Sequence, residues 1–203
     1  EFDVWHGGPV DGYGAAAEKG LIEAYDSPTA KEIPDKYKDP KHYWTGVYVG
    51  VLGFCSNQKV LQEKGLEVPQ SWDDLLKPEL KGQVSTAHPS TSGTAFTTLW
   101  TQVVLRGSED AGLDYMKKMH ANVLQYTKSG TAPGQIAGRG EVAVGLVFSH
   151  DCVKYRDEGM KDLVVSFPKE GTGYEIGGVA LVKNSKHSEA AKKYIDWAIS
   201  ADA

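Results

Sequence analysis

Glu141-Val142-Ala143-Val144-Gly145-Leu146-Val147-Phe148-Ser149-His150-Asp151 is the run on which the fold reading turns. Its apolar residues lead without a break into a polar triplet, the pattern of a buried strand that ends in Ser149, His150 and Asp151. In open α/β sheets the carboxyl ends of strands face the ligand crevice. An imidazole beside a carboxylate at such a place can fix a small polar molecule, because one group donates and accepts while the other only accepts. The plainer reading is a strand that runs into a loop carrying a surface His-Asp pair. The rest of the chain weighs between the two.

The chain has 203 residues, room for a substantial core in one domain or in two small lobes. Hydrophobic residues make up 40% and charged residues 24%, the composition of a soluble globular protein. A net charge of -5 without any basic tract argues against nucleic acid and anionic membrane as partners, and leaves a local anion site open. No run approaches the roughly 18 apolar residues of a membrane-spanning helix. Glu1-Phe2-Asp3-Val4-Trp5 enters mid-strand and Ser200-Ala201-Asp202-Ala203 follows closely on a helical pattern, so both ends read as cut from a longer polypeptide. Cys55 and Cys152 each sit in or beside an apolar strand. A disulfide, formed in an oxidising compartment, and two buried free thiols both fit. Closing so long a loop stabilises by about 4–5 kcal/mol in the chain-entropy model.

Taken in order, Phe2–Trp5 reads as a strand that runs into a loop, His6-Gly7-Gly8-Pro9, where paired glycines let backbone approach a ligand. A helix follows over Tyr13–Leu21, then an irregular polar stretch over 23–42. Tyr43–Phe54 is one long β run, long enough to cross between two lobes. Ser71, with Asp74 three residues on, starts a capped helix. Leu113, Met116 and Met119 mark the core side of a helix over Gly112–His120. Ala191, Tyr194, Ile195 and Ala198 form the apolar face of a final helix over Ser188–Ile199.

Two segments carry anion-binding chemistry. Ser92-Gly93-Thr94 opens the helix Phe96–Leu105 after a strand, and Ser129-Gly130-Thr131 repeats the pattern before Gly134–Ala137. Hydroxyls and helix-start N–H groups together make an anion cradle, though Ser92 serves equally as an ordinary N-cap. Glu175, between Tyr174 and a run of glycines, either projects into a cleft or faces solvent. His150, Asp151 and Cys152 can be assembled into a nucleophile and base on paper. Consecutive strand residues point to opposite faces, however, and no nucleophile elbow is present, so catalysis is set aside.

Several pieces together resemble the type II periplasmic solute-binding proteins of bacterial ABC importers. They are Asp3-Val4-Trp5-His6-Gly7-Gly8, Gly20-Leu21-Ile22-Glu23-Ala24-Tyr25 with Ser27-Pro28, Pro69-Gln70-Ser71-Trp72-Asp73-Asp74-Leu75, Lys81-Gly82-Gln83-Val84, Ser92-Gly93-Thr94 and Lys183-Asn184-Ser185-Lys186-His187. The last three stretches before the terminal one are typical of the ferric-ion-like branch. The resemblance implies an α/β, two-lobed fold with part of the first lobe missing. Residues 1–44 with 178–203 would form that lobe and 45–177 the second, with hinge strands near 43–50 and 175–181. It implies an exported protein whose signal peptide is removed, which binds its solute in the interlobe cleft and delivers it to permease subunits. No cofactor is implied. The full-length protein would be a monomer, and a truncated lobe with an open sheet edge a dimer.

Within that branch, ferric-ion binders hold iron with an adjacent tyrosine pair near the end of the pivotal strand. This chain has Ser149-His150-Asp151 instead. It is similar there to the hexose-phosphate-binding members, in which a His-Asp pair and a later glutamate hold sugar hydroxyls. That resemblance makes His150, Asp151 and Glu175 sugar ligands, with Ser149 beside them and His6, Gly7 and Gly8 on the first lobe's side. Ser92, Gly93, Thr94, Ser129, Gly130 and Thr131 become the phosphate cradle. The alternative in the same class is a ferric or other metal-ion binder built on His6, His150, Asp151 and Glu175. A small hydrolase is the remote one.

Overall fold

The computed structural model describes residues 2–203, so Glu1 of the expected opening strand lies outside the described residues. The chain divides into two compact units, Glu1–Gly50 with Glu175–Ala203, and Val51–Tyr174. The divisions fall within the long strand β3 (Thr45–Asn57) and at the first residue of β8 (Tyr174–Val182), because each strand runs unbroken through the place where the units part.

In the first unit, β1 (Val4–Pro9) and β2 (Ile22–Glu23) pair antiparallel with β8. His6-Gly7-Gly8-Pro9 is therefore not a loop: it continues β1, which bulges between His6 and Pro9. Gly7 and Gly8 supply the φ values of 91° and 79° that the bulge needs and that side chains resist. Alternation along β8 gives each face its own core. Val179 and Leu181 pack on Ala191, Ile195 and Ile199 of the last helix region, α7 (Ser188–Ala198), while Ala180 packs with Ile22 and with Tyr13 and Ala16 of α1 (Asp11–Glu18). Tyr194, expected on the apolar face of α7, is exposed, and its hydroxyl lies 2.9 Å from Nδ1 of His6. The polar stretch before β3 holds two 3-10 turns, Pro28–Glu32 and Asp35–Tyr37, the first capped by Ser27, whose hydroxyl accepts from the Thr29 N–H.

In the second unit the later half of β3 pairs antiparallel with β6 (Val144–Phe148) on one side and β7 (Leu163–Ser166) on the other. Beyond β6 the strands turn parallel: β4 (Val84–Ala87) lies between β6 and β5 (Val123–Thr127). Helices cover both faces. Phe54, Val84 and Leu146 meet Trp72 and, from α4 (Glu109–His120), Tyr115 and Met119. On the other face Cys55 and Val147 meet Ile136 of α5 (Ala132–Gly138) and Cys152 and Tyr155 of α6 (Ser149–Asp157). Leu113, expected in the core, points outward instead, and Met119 carries that face of α4.

Local chemistry sets the ends of these elements. Asn57 caps α2 (Gln58–Glu63) by accepting from the Val60 N–H, and its amide donates to Ala137 O at 2.8 Å. Ser71 and Asp74 cap as expected: Ser71 Oγ accepts from the Asp74 N–H and Asp74 Oδ2 from the Gln70 N–H. The segment they start is a 3-10 turn, Asp73–Leu76, and not an α-helix; Pro78 follows too soon for more. Cys55 and Cys152 form a disulfide with Cα atoms 5.5 Å apart, which decides between the two alternatives and ties β3 to α6.

Candidate functional site

Because β5, β4 and β6 are parallel neighbours, their carboxyl ends open on the same edge of the sheet, and each leads into a helix start. Residues 88–92 join β4 to α3 (Gly93–Arg106), residues 128–131 join β5 to α5, and β6 passes into α6 with no loop at all. The first two connections are bonded together. The His88 N–H donates to Thr127 O at 2.9 Å, and the Thr91 hydroxyl donates to Lys128 O at 3.1 Å.

Ser92 is the N-cap of α3, its Oγ accepting from the Ala95 N–H at 3.4 Å. The cap leaves the hydroxyl hydrogen available to a ligand. Gly130 lies directly on this helix start: a methyl group there would collide with Thr94 Oγ1 and Ser92 Oγ. Beside it Ser129 Oγ and Thr131 Oγ1 are 2.9 Å apart, and the Thr131 N–H donates to Ser129 Oγ. The two hydroxyl-rich segments found in the sequence, far apart in the chain, thus meet at Gly130. Tyr155 of α6 donates to Thr131 O at 3.2 Å and holds the third helix against the same loop. Gly145 permits the approach, since a side chain there would strike the Pro133 carbonyl at the start of α5.

Ser149, His150 and Asp151 are not the end of a strand but the first turn of α6, preceded by Phe148, which has no side chain able to cap. The alternation argument over His150, Asp151 and Cys152 therefore does not apply; on a helix successive side chains fan around the axis. His150 turns outward, its side chain 52% exposed, and its ring stacks on Phe148 at 5.9 Å between centroids. Asp151 turns inward, 13% exposed, with Oδ1 3.9 Å from His150 Nε2. Burial pushes its carboxyl above the usual carboxylate range, against the opposing charges of His150 and Lys154. A carboxylate so short of water gains from hydroxyls that hydrogen-bond to it. Cys152 is bonded to Cys55, so no thiolate exists there and the hydrolase reading loses its nucleophile.

The remaining candidates lie in the first unit. Glu175 is buried, 8% exposed, and does not face solvent. Its Oε1 accepts from the Tyr48 hydroxyl at 3.3 Å, and Tyr48 Oη accepts from the Gly8 N–H at 3.2 Å. The backbone approach allowed by Gly7 and Gly8 thus serves a phenol of the protein itself. Tyr48 carried no functional reading in the sequence. Its signal was a tyrosine within an otherwise aliphatic and glycine run. Tyr13 completes the support: its hydroxyl lies 2.8 Å from Gly7 O and 2.7 Å from Gly178 O, and burial keeps the phenol protonated. Among the described residues no three of His, Cys, Asp and Glu come together as a metal-binding group, so the metal alternative gains no geometry.

The model of the bacterial extracellular solute-binding protein family matches residues 11–203. A Haemophilus influenzae protein is 44% identical over 206 residues, spanning 98% of this chain and 59% of its own length. The periplasmic binding protein AfuA from Actinobacillus pleuropneumoniae, solved with exogenous fructose-6-phosphate bound, matches at a TM-score of 0.93 and 43% identity, over 100% of this chain and 64% of that one. The periplasmic binding protein P5PA matches at 0.90 and 35%, over 100% and 65%. The chain therefore spans about three-fifths of the length of these relatives. It shares with AfuA and P5PA the α/β, two-lobed type II periplasmic-binding-protein fold. Among the described residues no helix is long and apolar enough to cross a membrane. The family is that of the bacterial extracellular solute-binding proteins, and the chain belongs to it.

Proposed function

We propose that the protein is the solute-binding component of an ABC importer, that it works with permease subunits, and that its solute is a sugar phosphate. The observation that carries this reading is the meeting of Ser92, Thr94 and Gly130 at the ends of β4 and β5, on the sheet edge where β6 delivers Ser149, His150 and Asp151. Hydroxyls and N–H groups donate to phosphate oxygens, and the desolvated Asp151 carboxylate accepts from sugar hydroxyls. Gly93, Ser129 and Thr131 belong to the cradle. In the first unit, Glu175 is a further ligand carboxylate, and His6, Gly7 and Gly8 build the strand beside it. The relative AfuA, with fructose-6-phosphate as its bound sugar phosphate, supports the choice of solute.

Asp151→Ala and His150→Ala test the sugar half of the site. Asp151→Ala is expected to weaken fructose-6-phosphate binding by about 2–5 kcal/mol, as removal of one partner from a buried polar contact does, and His150→Ala, at a half-exposed side chain, by about 1 kcal/mol. Unchanged affinity in both variants removes the pair from the site.

A further inference from the structure

We propose that Tyr48 is a positioning residue that sets the Glu175 carboxylate for recognition of the solute, an inference that rests on the sugar-phosphate reading. Two features of the first unit converge on this one phenol. Gly177 is the first: a methyl group there would collide with the Tyr48 ring, so the ring lies flat across β8 where only hydrogen fits. The second is the bulge of β1. Pro9 is the register partner of Gly177, and the ladder shifts between His6 and Pro9, directly beside the ring. Within that bulge Gly7 and Gly8 have φ values of 91° and 79°. This conformation turns the Gly8 N–H to Tyr48 Oη at 3.2 Å.

The polarity of the phenol follows from these partners. A phenolic oxygen has one hydrogen to give. The Gly8 N–H donates to that oxygen, and the phenol's own hydrogen is directed to Glu175 Oε1, 3.3 Å away. Glu175 is 8% exposed, and a carboxylate that far from water needs donors that hold it in one orientation. Tyr48 is 39% exposed, so its ring stands at the surface while its hydroxyl reaches the buried acid. A glycine-lined seat, a strand bulge and a reserved N–H exceed what packing of a surface tyrosine requires. They are what fixing one carboxylate oxygen requires.

Tyr48→Phe keeps the ring in its seat and removes only the hydroxyl. The test is calorimetric titration of the full-length wild type, Tyr48→Phe, Glu175→Ala and the double variant with fructose-6-phosphate, and separately with inorganic phosphate. Tyr48→Phe is expected to weaken fructose-6-phosphate binding about tenfold, the size of one lost hydrogen bond. Phosphate binding, which uses the second unit, stays within about twofold, and in the Glu175→Ala background, where no acceptor remains for the phenol, the tyrosine change costs less than about twofold. Unaltered fructose-6-phosphate affinity in Tyr48→Phe overturns the assignment. So does an equal loss for both ligands, which marks a merely structural role, and so does a fully additive double variant. A wild type that does not bind fructose-6-phosphate overturns the proposed function, and this inference with it.

Discussion

Cys152, the residue after Asp151, is bonded to Cys55, and this bond fastens the first turn of α6 to β3. That turn has no side-chain cap at Phe148, and the covalent link holds it to the sheet instead. The loop it closes is 97 residues long, and a loop of that length stabilises by about 4–5 kcal/mol in the chain-entropy model. Denaturant unfolding with and without reductant is expected to show a loss of that order, and reduced protein is expected to bind fructose-6-phosphate more weakly. Superimposable unfolding curves would contradict the first expectation.

Gly130→Ala tests the cradle. Gly130 does not adopt a positive φ, so the effect of a methyl group there is steric: it displaces the hydroxyls of Thr94 and Ser92. Binding of both fructose-6-phosphate and inorganic phosphate should fall by at least about tenfold, with a stability change of about 1–3 kcal/mol as in other overpacked sites. Retained phosphate affinity would place the anion elsewhere.

Asp151→Asn separates stability from binding. Burial raises the Asp151 pKa in the folded protein, so the folded state holds its proton more tightly than the unfolded chain does. The resulting stabilisation is complete below the unfolded value of about 3.9 and is lost as pH rises through the folded value. Asparagine does not titrate. Relative to wild type, the ligand-free variant is expected to gain in melting temperature between pH 3.5 and pH 7, while its affinity for the sugar phosphate drops. A difference in melting temperature that stays constant over that range would show that Asp151 is not destabilised by burial.

Gln102 is fully buried on α3, and neither its amide nitrogen nor its oxygen has a hydrogen-bond partner among the described residues. Burying an unpaired amide costs about 1–3 kcal/mol. Gln102→Leu is therefore expected to raise the denaturation midpoint by an amount equivalent to about 1–2 kcal/mol. A lowered midpoint would mean that the amide is satisfied in solution.

How far the sequence could be read follows from the kind of signal each element carries. β6 was plain because Val142 to Phe148 are buried without interruption, and α3 because Ser92 caps it and Gly107, in the left-handed region, ends it. β5 gave no such pattern. Leu124, Gln125 and Tyr126 are all exposed on an edge strand, so the alternation that betrays a half-buried strand is absent. Ser149-His150-Asp151 misled for a related reason: α6 has neither a capping side chain nor an amphipathic stripe, and only Cys152 and Tyr155 bury into the core.

The site was legible as residue types and not as geometry. Ser92, Thr94, Gly130 and Asp151 could be singled out from chemistry and resemblance, but their meeting depends on three parallel strands ending together. Tyr48 was invisible because its meaning lies in register. Only the pairing of Pro9 with Gly177 brings the bulge of β1 to the phenol. The disulfide was undecidable for the same reason, since Cys55 comes near α6 only once β3 is paired with β6, opposite Gly145.

The most direct measurement is isothermal titration of the full-length protein with fructose-6-phosphate, inorganic phosphate and ferric ion in separate runs. The account predicts tight binding of fructose-6-phosphate, much weaker binding of free phosphate, and no comparable heat with iron. Tight iron binding with no response to the sugar phosphate would contradict it.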